Sequence, residues 1–206
     1  KAVRTVKDNL KEIAAGEEEA CEKLMYALVL SGLAMQMTGN SRPASGAEHH
    51  LVHLWDMEVV NGHLDALHGE KVSAGTMLVL LEYKKIADAI RKGNCKVHTC
   101  TEEDRELLQS TFGKKGILGA IEKENTPELL DDVSTKELSD TLPGILKIID
   151  ALPAVTDMQE MMNTAGCVSR VRDIGLPGEV IEESLRLAPY TRRRLSLLRL
   201  RKMLTY

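Results

Sequence analysis

Aromatic side chains are scarce: one Trp and one Phe stand among 206 residues, and aromatics make up 3% of the chain. Strands draw on aromatic and β-branched residues to cover a pleated surface, so a core of Leu, Ile, Val, Ala and Met points to helices. No run alternates apolar and polar residues between turn signals, which removes the pattern of a half-buried strand. No GxGxxG or GxxxxGK segment occurs, and Gly113-Lys114-Lys115-Gly116 reads as a connection between helices. Without a strand, a glycine-rich turn and a helix in that order, no dinucleotide cradle is expected in these residues.

The four cysteines, Cys21, Cys95, Cys100 and Cys167, form no CxxC pair, which suits reduced thiols and a cytoplasmic protein. Cys95 and Cys100 flank His98, a segment read as an exposed turn between two helices in preference to a metal site. No apolar stretch reaches the roughly 18 residues of a membrane span. A net charge of −4 gives no overall attraction to nucleic acid or to an anionic membrane. The chain lacks an initial Met and a signal peptide, and Lys1-Ala2-Val3-Arg4-Thr5-Val6 is already in helical rhythm, so it reads as starting inside something larger.

What is present is a succession of helix signals. Hydrophobic residues make up 43% of the chain, enough for a core. Val3, Val6, Leu10 and Ile13 recur at helical spacing up to Gly16, and a second helix is expected from Glu17 to Met37, closed by Gly39-Asn40. Ser45-Gly46-Ala47-Glu48 has the form of a capping box, so a helix should begin near Gly46 and run to about Val60. A long helix is expected from just after His68-Gly69 to about Arg91. Thr101-Glu102-Glu103-Asp104, Thr126-Pro127-Glu128 and Ser134-Thr135-Lys136-Glu137 read as further starts, with Pro143 kinking or splitting the last of these helices. Thr156-Asp157 and Leu176-Pro177-Gly178-Glu179 open later helices, and a final one is expected over Tyr190 to Met203.

Five of the six histidines, His49, His50, His53, His63 and His68, fall within one short stretch. His49 and His53 stand four apart, on one face of the expected helix, and the turn at Asn61-Gly62-His63 allows His68 to fold back toward His49. Neutral imidazole is a common metal ligand, so the pair makes a partial metal site; polar surface or interface histidines are the alternative. A catalytic zinc takes about three protein ligands, so a carboxylate must come from elsewhere. In Glu48-His49-His50-Leu51-Val52-His53 the Glu precedes the His pair, which is not the HExxH order of a metalloprotease.

Ser41-Arg42-Pro43-Ala44-Ser45-Gly46-Ala47-Glu48-His49-His50, followed by Leu67-His68-Gly69-Glu70-Lys71-Val72, resembles the signature of the glycerol-1-phosphate dehydrogenase family, bacterial proteins of the arabinose-operon type included. The likeness runs from about Lys1 through Tyr190-Thr191-Arg192-Arg193-Arg194, specific in the first part and weak between Cys95 and Glu183. That family stands with the glycerol dehydrogenases, iron-dependent alcohol dehydrogenases and dehydroquinate synthases, whose members join an N-terminal nucleotide-binding domain to a C-terminal helical domain.

The resemblance implies that residues 1–206 are the all-α C-terminal domain of such a two-domain enzyme, without the nucleotide-binding domain, and inactive alone. It implies metal ligation by an Asp and two His, placed here on His49 and His68, with His50 competing for the first position. The Asp lies before the region that Lys1 begins. It implies reduction of dihydroxyacetone phosphate by NADH or NADPH, a homo-oligomer, and a divalent metal, zinc or alternatively nickel or iron. His53 becomes the proton relay and a substrate contact, with a packing role as the alternative. Arg42 and Ser45 at the helix N-terminus become substrate contacts, Arg42 for the phosphate or else in a loop salt bridge. Lys71 is either near the substrate or, more simply, solvated.

Two other readings compete. Arg192, Arg193, Arg194, Arg199, Arg201 and Lys202 form a basic stretch able to grip nucleic-acid phosphates, although a helix face paired with carboxylates explains it better, and no nucleic-acid partner is expected. A glycerol dehydrogenase-like domain for an unphosphorylated polyol, or a non-catalytic helical interaction protein, are the functional alternatives.

Overall fold

The computed structural model describes residues 2–100 and 104–206. Two short helices, α1 (Ala2–Asp8) and α2 (Leu10–Ala14), lead into α3 (Glu18–Thr38), which ends at Gly39 in the left-handed conformation (φ 65°). The core pair follows: α4 (Ala47–Asp56) and α5 (His68–Arg91). Beyond α5 lie α6 (Arg105–Phe112), α7 (Leu118–Asn125), α8 (Thr135–Asp150), α9 (Val155–Thr164), α10 (Ile181–Leu187) and α11 (Leu197–Leu200), joined by turns and short 3₁₀ segments. The fold is all-α, as the composition implies. The strands among the described residues are the two-residue β1 (Lys96–Val97) and β2 (Leu204–Thr205), which pair antiparallel.

The α4 helix is where the core is densest. Leu51, Val52, Leu54 and Trp55 are buried and pack with Ala74 and Val79 of α5, Leu185 and Leu187 of α10, and Ala188 and Tyr190 just after it. The Trp55 Nε1–H donates to Ser184 Oγ at 3.0 Å, satisfying the one polar atom of the largest buried ring. Gly75 lets α5 approach: a Cβ there would stand 3.2 Å from the Glu48 carbonyl oxygen. A second cluster joins Ile86 of α5 to Leu130, Leu138, Leu142, Met203 and Leu204. By contrast α3 leaves Met25, Tyr26, Leu28, Val29, Leu33 and Met37 exposed.

Several expected boundaries shift. The first segment is two helices, α1 and α2. The α4 helix stops at Asp56, well short of Val60, because Glu58 takes a left-handed conformation (φ 52°). Ser45 does not cap it: Gly46 is the N-cap without a side-chain bond, and Glu48 reaches back to the Gly46 N–H at 2.7 Å. No helix starts at Thr126-Pro127-Glu128. Thr126 is extended at the end of α7, as the residue before a proline favours, and the Glu128 carboxylate is taken by Arg199. Ser134 does cap α8 through Glu137 N–H, and Pro143 leaves it one unbroken helix. The start expected at residues 101–104 falls largely outside the described residues, with α6 beginning at Arg105. The final helix is broken: residues 188–191 form a 3₁₀ turn, Arg192 is extended, and α11 begins at Leu197, capped by Ser196.

Arg199 explains that break. Its guanidinium is buried, pairs with Glu128 at 2.7 Å, and donates to Asn125 Oδ1 and to the carbonyls of Pro189 and Arg192. A charge so deep must be paired, and its two terminal nitrogens are filled while Nε has no partner among the described residues. Carbonyls that a continuous helix would bond internally are used to satisfy it. Arg201 likewise meets Glu82 and Glu182, so these members of the basic stretch serve ion pairs within the fold.

Candidate functional site

The histidines converge at the exposed edge of the α4–α5 pair. His49 and His53 lie on α4, and their ring centroids are 6.5 Å apart. His68 is the first residue of α5, and its ring lies 5.7 Å from that of His49. The turn between the helices brings this about. Glu70 Oε2 accepts the Leu67 N–H at 2.7 Å, fixing the start of α5, and the Lys71 ammonium pairs with Asp56 at 2.8 Å, tying that start to the end of α4. Lys71 is therefore an ion-pair partner across the helix pair.

Glu48 sets the chemistry of His49. Its Oε1 lies 2.8 Å from His49 Nδ1. Burial raises the Glu48 pKa, but the His49 and Gly46 hydrogen bonds outweigh it and hold the carboxyl below its ordinary value. An ionised carboxylate only accepts, so Nδ1 carries the hydrogen, and in a neutral imidazole so held Nε2 is the nitrogen with the lone pair. For His53, burial first and then the Arg192 guanidinium and His49 lower the pKa, against the opposing charge of Asp56. These effects favour the neutral imidazole of His53.

The other expected residues separate from this group. His50 is 1% exposed, has no hydrogen-bond partner for either ring nitrogen among the described residues, and has its pKa pushed down to about 4 by burial and by Arg194 and Arg199. His63 is exposed and faces Glu58 at 2.8 Å. Arg42 is exposed, its backbone N–H donates to Asn40 Oδ1 at 3.0 Å, and no ion pair of its side chain occurs among the described residues. The Ser45 carbonyl accepts from Arg194 Nη1 at 3.0 Å, while Arg194 Nη2 donates to Ser41 Oγ at 2.8 Å. His98 is half-buried, its Nδ1 lies 2.9 Å from the Thr99 carbonyl, and Cys95 and Cys100 pack at the second core cluster.

To a cation the described residues offer two imidazoles, His49 and His68, with His53 beside them. No group of three or more His, Cys, Asp or Glu among them is arranged to hold a metal ion. No described helix is long and apolar enough to cross a membrane. Glu48 and Arg192 were not foreseen as parts of this site. Glu48 stood beside the His pair in sequence, whereas nothing local in the sequence connects Arg192 to His53.

Comparison with known proteins gives a consistent set of relatives. A glycerol-1-phosphate dehydrogenase [NAD(P)+] of Halalkalibacterium halodurans is 33% identical over 192 residues, 93% of this chain and 40% of the relative. One from Geobacillus stearothermophilus is 28% identical over 188 residues, 91% of this chain and 39% of the relative. One from Pyrococcus horikoshii is 41% identical over 83 residues, 38% of this chain and 23% of the relative. The chain spans about two fifths of the length of the first two. No family model matches the chain, and no solved structure matches it significantly.

Proposed function

We infer that this chain, homologous along nearly its whole length to glycerol-1-phosphate dehydrogenases, is the helical metal- and substrate-binding domain of such an enzyme. In this reading it works with a nucleotide-binding domain that holds NAD or NADP, and alone it does not turn over. The reaction is reversible reduction of dihydroxyacetone phosphate to sn-glycerol 1-phosphate.

The observation that carries the reading is the 5.7 Å between the His49 and His68 rings. Two imidazoles sharing one tetrahedral zinc through bonds of about 2.0–2.1 Å have ring centres roughly 5 Å apart. The residues fit a divalent cation as two of its ligands, with Glu48 holding His49 in the tautomer that presents Nε2. The remaining carboxylate ligand comes from outside the described residues. Zinc is the metal proposed, and nickel or iron suits the same donors.

When bound, the cation supplies Lewis-acid stabilisation of the negative charge that develops on the substrate oxygen. His53, whose surroundings favour the neutral imidazole, accepts the hydroxyl proton in the direction of alcohol oxidation and returns it in the direction of reduction. Ser45 and Arg42 stand on the loop before α4 as the substrate contacts of this reading, with the Gly46 N–H itself held by Glu48. The homo-oligomer remains part of the proposal, and the exposed apolar residues of α3 are a surface such an assembly would cover.

The test is NAD(P)H-dependent reduction of dihydroxyacetone phosphate by a protein joining this domain to a nucleotide-binding domain. His53→Gln should lower kcat by about 100-fold or more while metal content is kept. Absence of dihydroxyacetone phosphate reduction in the unaltered protein, or an unchanged kcat in His53→Gln, would overturn the reading.

A further inference from the structure

We propose that Arg192 is the residue that grips the phosphate of the substrate, a monoester dianion, from the side of His53. This rests on the reading above, which assigns a phosphorylated substrate to the histidine edge of α4.

The three consecutive arginines 192–194 have different fates. Arg193 donates its N–H toward Glu124 Oε1 at 3.4 Å and its Nε–H to the Pro127 carbonyl at 3.1 Å. Arg194 is used by the Ser45 carbonyl and Ser41 Oγ. Arg192 is exposed, and its side chain makes no hydrogen bond or ion pair among the described residues.

Its backbone is nevertheless held firmly. The Arg192 carbonyl accepts from Arg194 N–H at 2.9 Å and from the buried Arg199 guanidinium at 3.2 Å. On one side, Thr191 Oγ1 reaches the His50 carbonyl of α4 at 3.3 Å. On the other, Arg194 clamps the loop that enters α4. Arg192 is thus pinned between two anchors on α4 and its entry loop, and its charge is the largest one acting on His53.

A fixed backbone with an unpaired, solvent-facing guanidinium is preorganised for an anion: little ordering is needed, and no carboxylate has to be displaced. The planar fork suits two phosphate oxygens at once. Arg42 is also exposed, on the loop that Arg194 clamps ahead of α4, whereas Arg192 directly follows Thr191, which is bonded to α4 itself at the His50 carbonyl, so Arg192 is the donor placed on the His53 side.

The probe is inorganic phosphate, titrated into the 206-residue chain by calorimetry with no metal added. Saturable binding at one site should weaken at least tenfold in Arg192→Ala, recover in part in Arg192→Lys, and persist in Arg193→Ala, which removes the same charge one residue away. The unaltered chain failing to bind phosphate, equal binding in Arg192→Ala, or equal weakening in Arg193→Ala would overturn the proposal. Trp55 emission checks that each variant is folded. Zinc titration of the same samples reads the histidine site separately, so a failure of Arg192 and a failure of the metal reading are told apart.

Discussion

Gly75 on α5 faces the backbone of Glu48 on α4 so closely that a Cβ would come within 3.2 Å of the Glu48 carbonyl oxygen. The carbonyl belongs to a packed helix, so it has little room to give. This contact sets the depth at which α5 lies on α4, and with it the relation of His68 to His49.

Gly75→Val is therefore expected to lower stability by about 2 kcal/mol, as overpacking of a core does. Gly75→Ala should cost less, because its clash is smaller and Ala is the better helix former by about 1 kcal/mol. Urea unfolding of the two variants gives the comparison, and a Val variant as stable as the parent would show that the helices can part freely.

The fold class was legible because it depends on composition and period, and both act over many residues. The ends of α3 and α5 and the Ser134 cap followed from local chemistry that no tertiary contact opposes. Where the reading slipped, a distant partner had decided the matter. Arg199 takes the carbonyls of Pro189 and Arg192 and breaks the helix expected over 190–203. Glu128, needed for a helix start after Pro127, is bound by the same guanidinium. The histidine grouping was legible from spacing along α4 and the turn after it. Arg192 was not, since its neighbour His53 is far away in sequence and only the packing of residues 188–194 on α4 joins them.

Ser184→Ala should destabilise the protein by about 1–3 kcal/mol, because the buried Trp55 N–H loses its acceptor where water cannot replace it. Trp55 is the single tryptophan, so its emission during denaturant unfolding reports the change directly.

Glu82 is 2% exposed, and Arg201 approaches it at 2.5 Å, with Tyr206 and Lys85 also bonded to it. Burial raises its pKa, but these partners together carry it below 4.5. A carboxyl whose folded pKa is depressed adds stability above its unfolded pKa, and that stability is lost as pH falls through the folded value. Glu82→Gln should thus cost about 3 kcal/mol at pH 7, and progressively less on acidification below about pH 4.5. Thermal melts across that range read the difference, and a cost that grows as the pH falls would contradict the assignment.

Glu48→Ala frees His49 to take either tautomer and to turn. Zinc affinity of the chain should fall by about 10–100-fold, the usual effect of losing a carboxylate that orients a ligating histidine. Competition against a colorimetric zinc chelator measures this, and equal affinity would remove Glu48 from the site.

Zinc binding to the 206-residue chain, followed by calorimetry and by X-ray absorption at the zinc edge, bears on the site most directly. The account predicts one bound zinc with two imidazole nitrogens at about 2.0 Å, lost in His49→Ala and in His68→Ala and kept in His50→Ala and His63→Ala. Stoichiometric zinc in both of the first two variants, or its loss in His50→Ala alone, would contradict it.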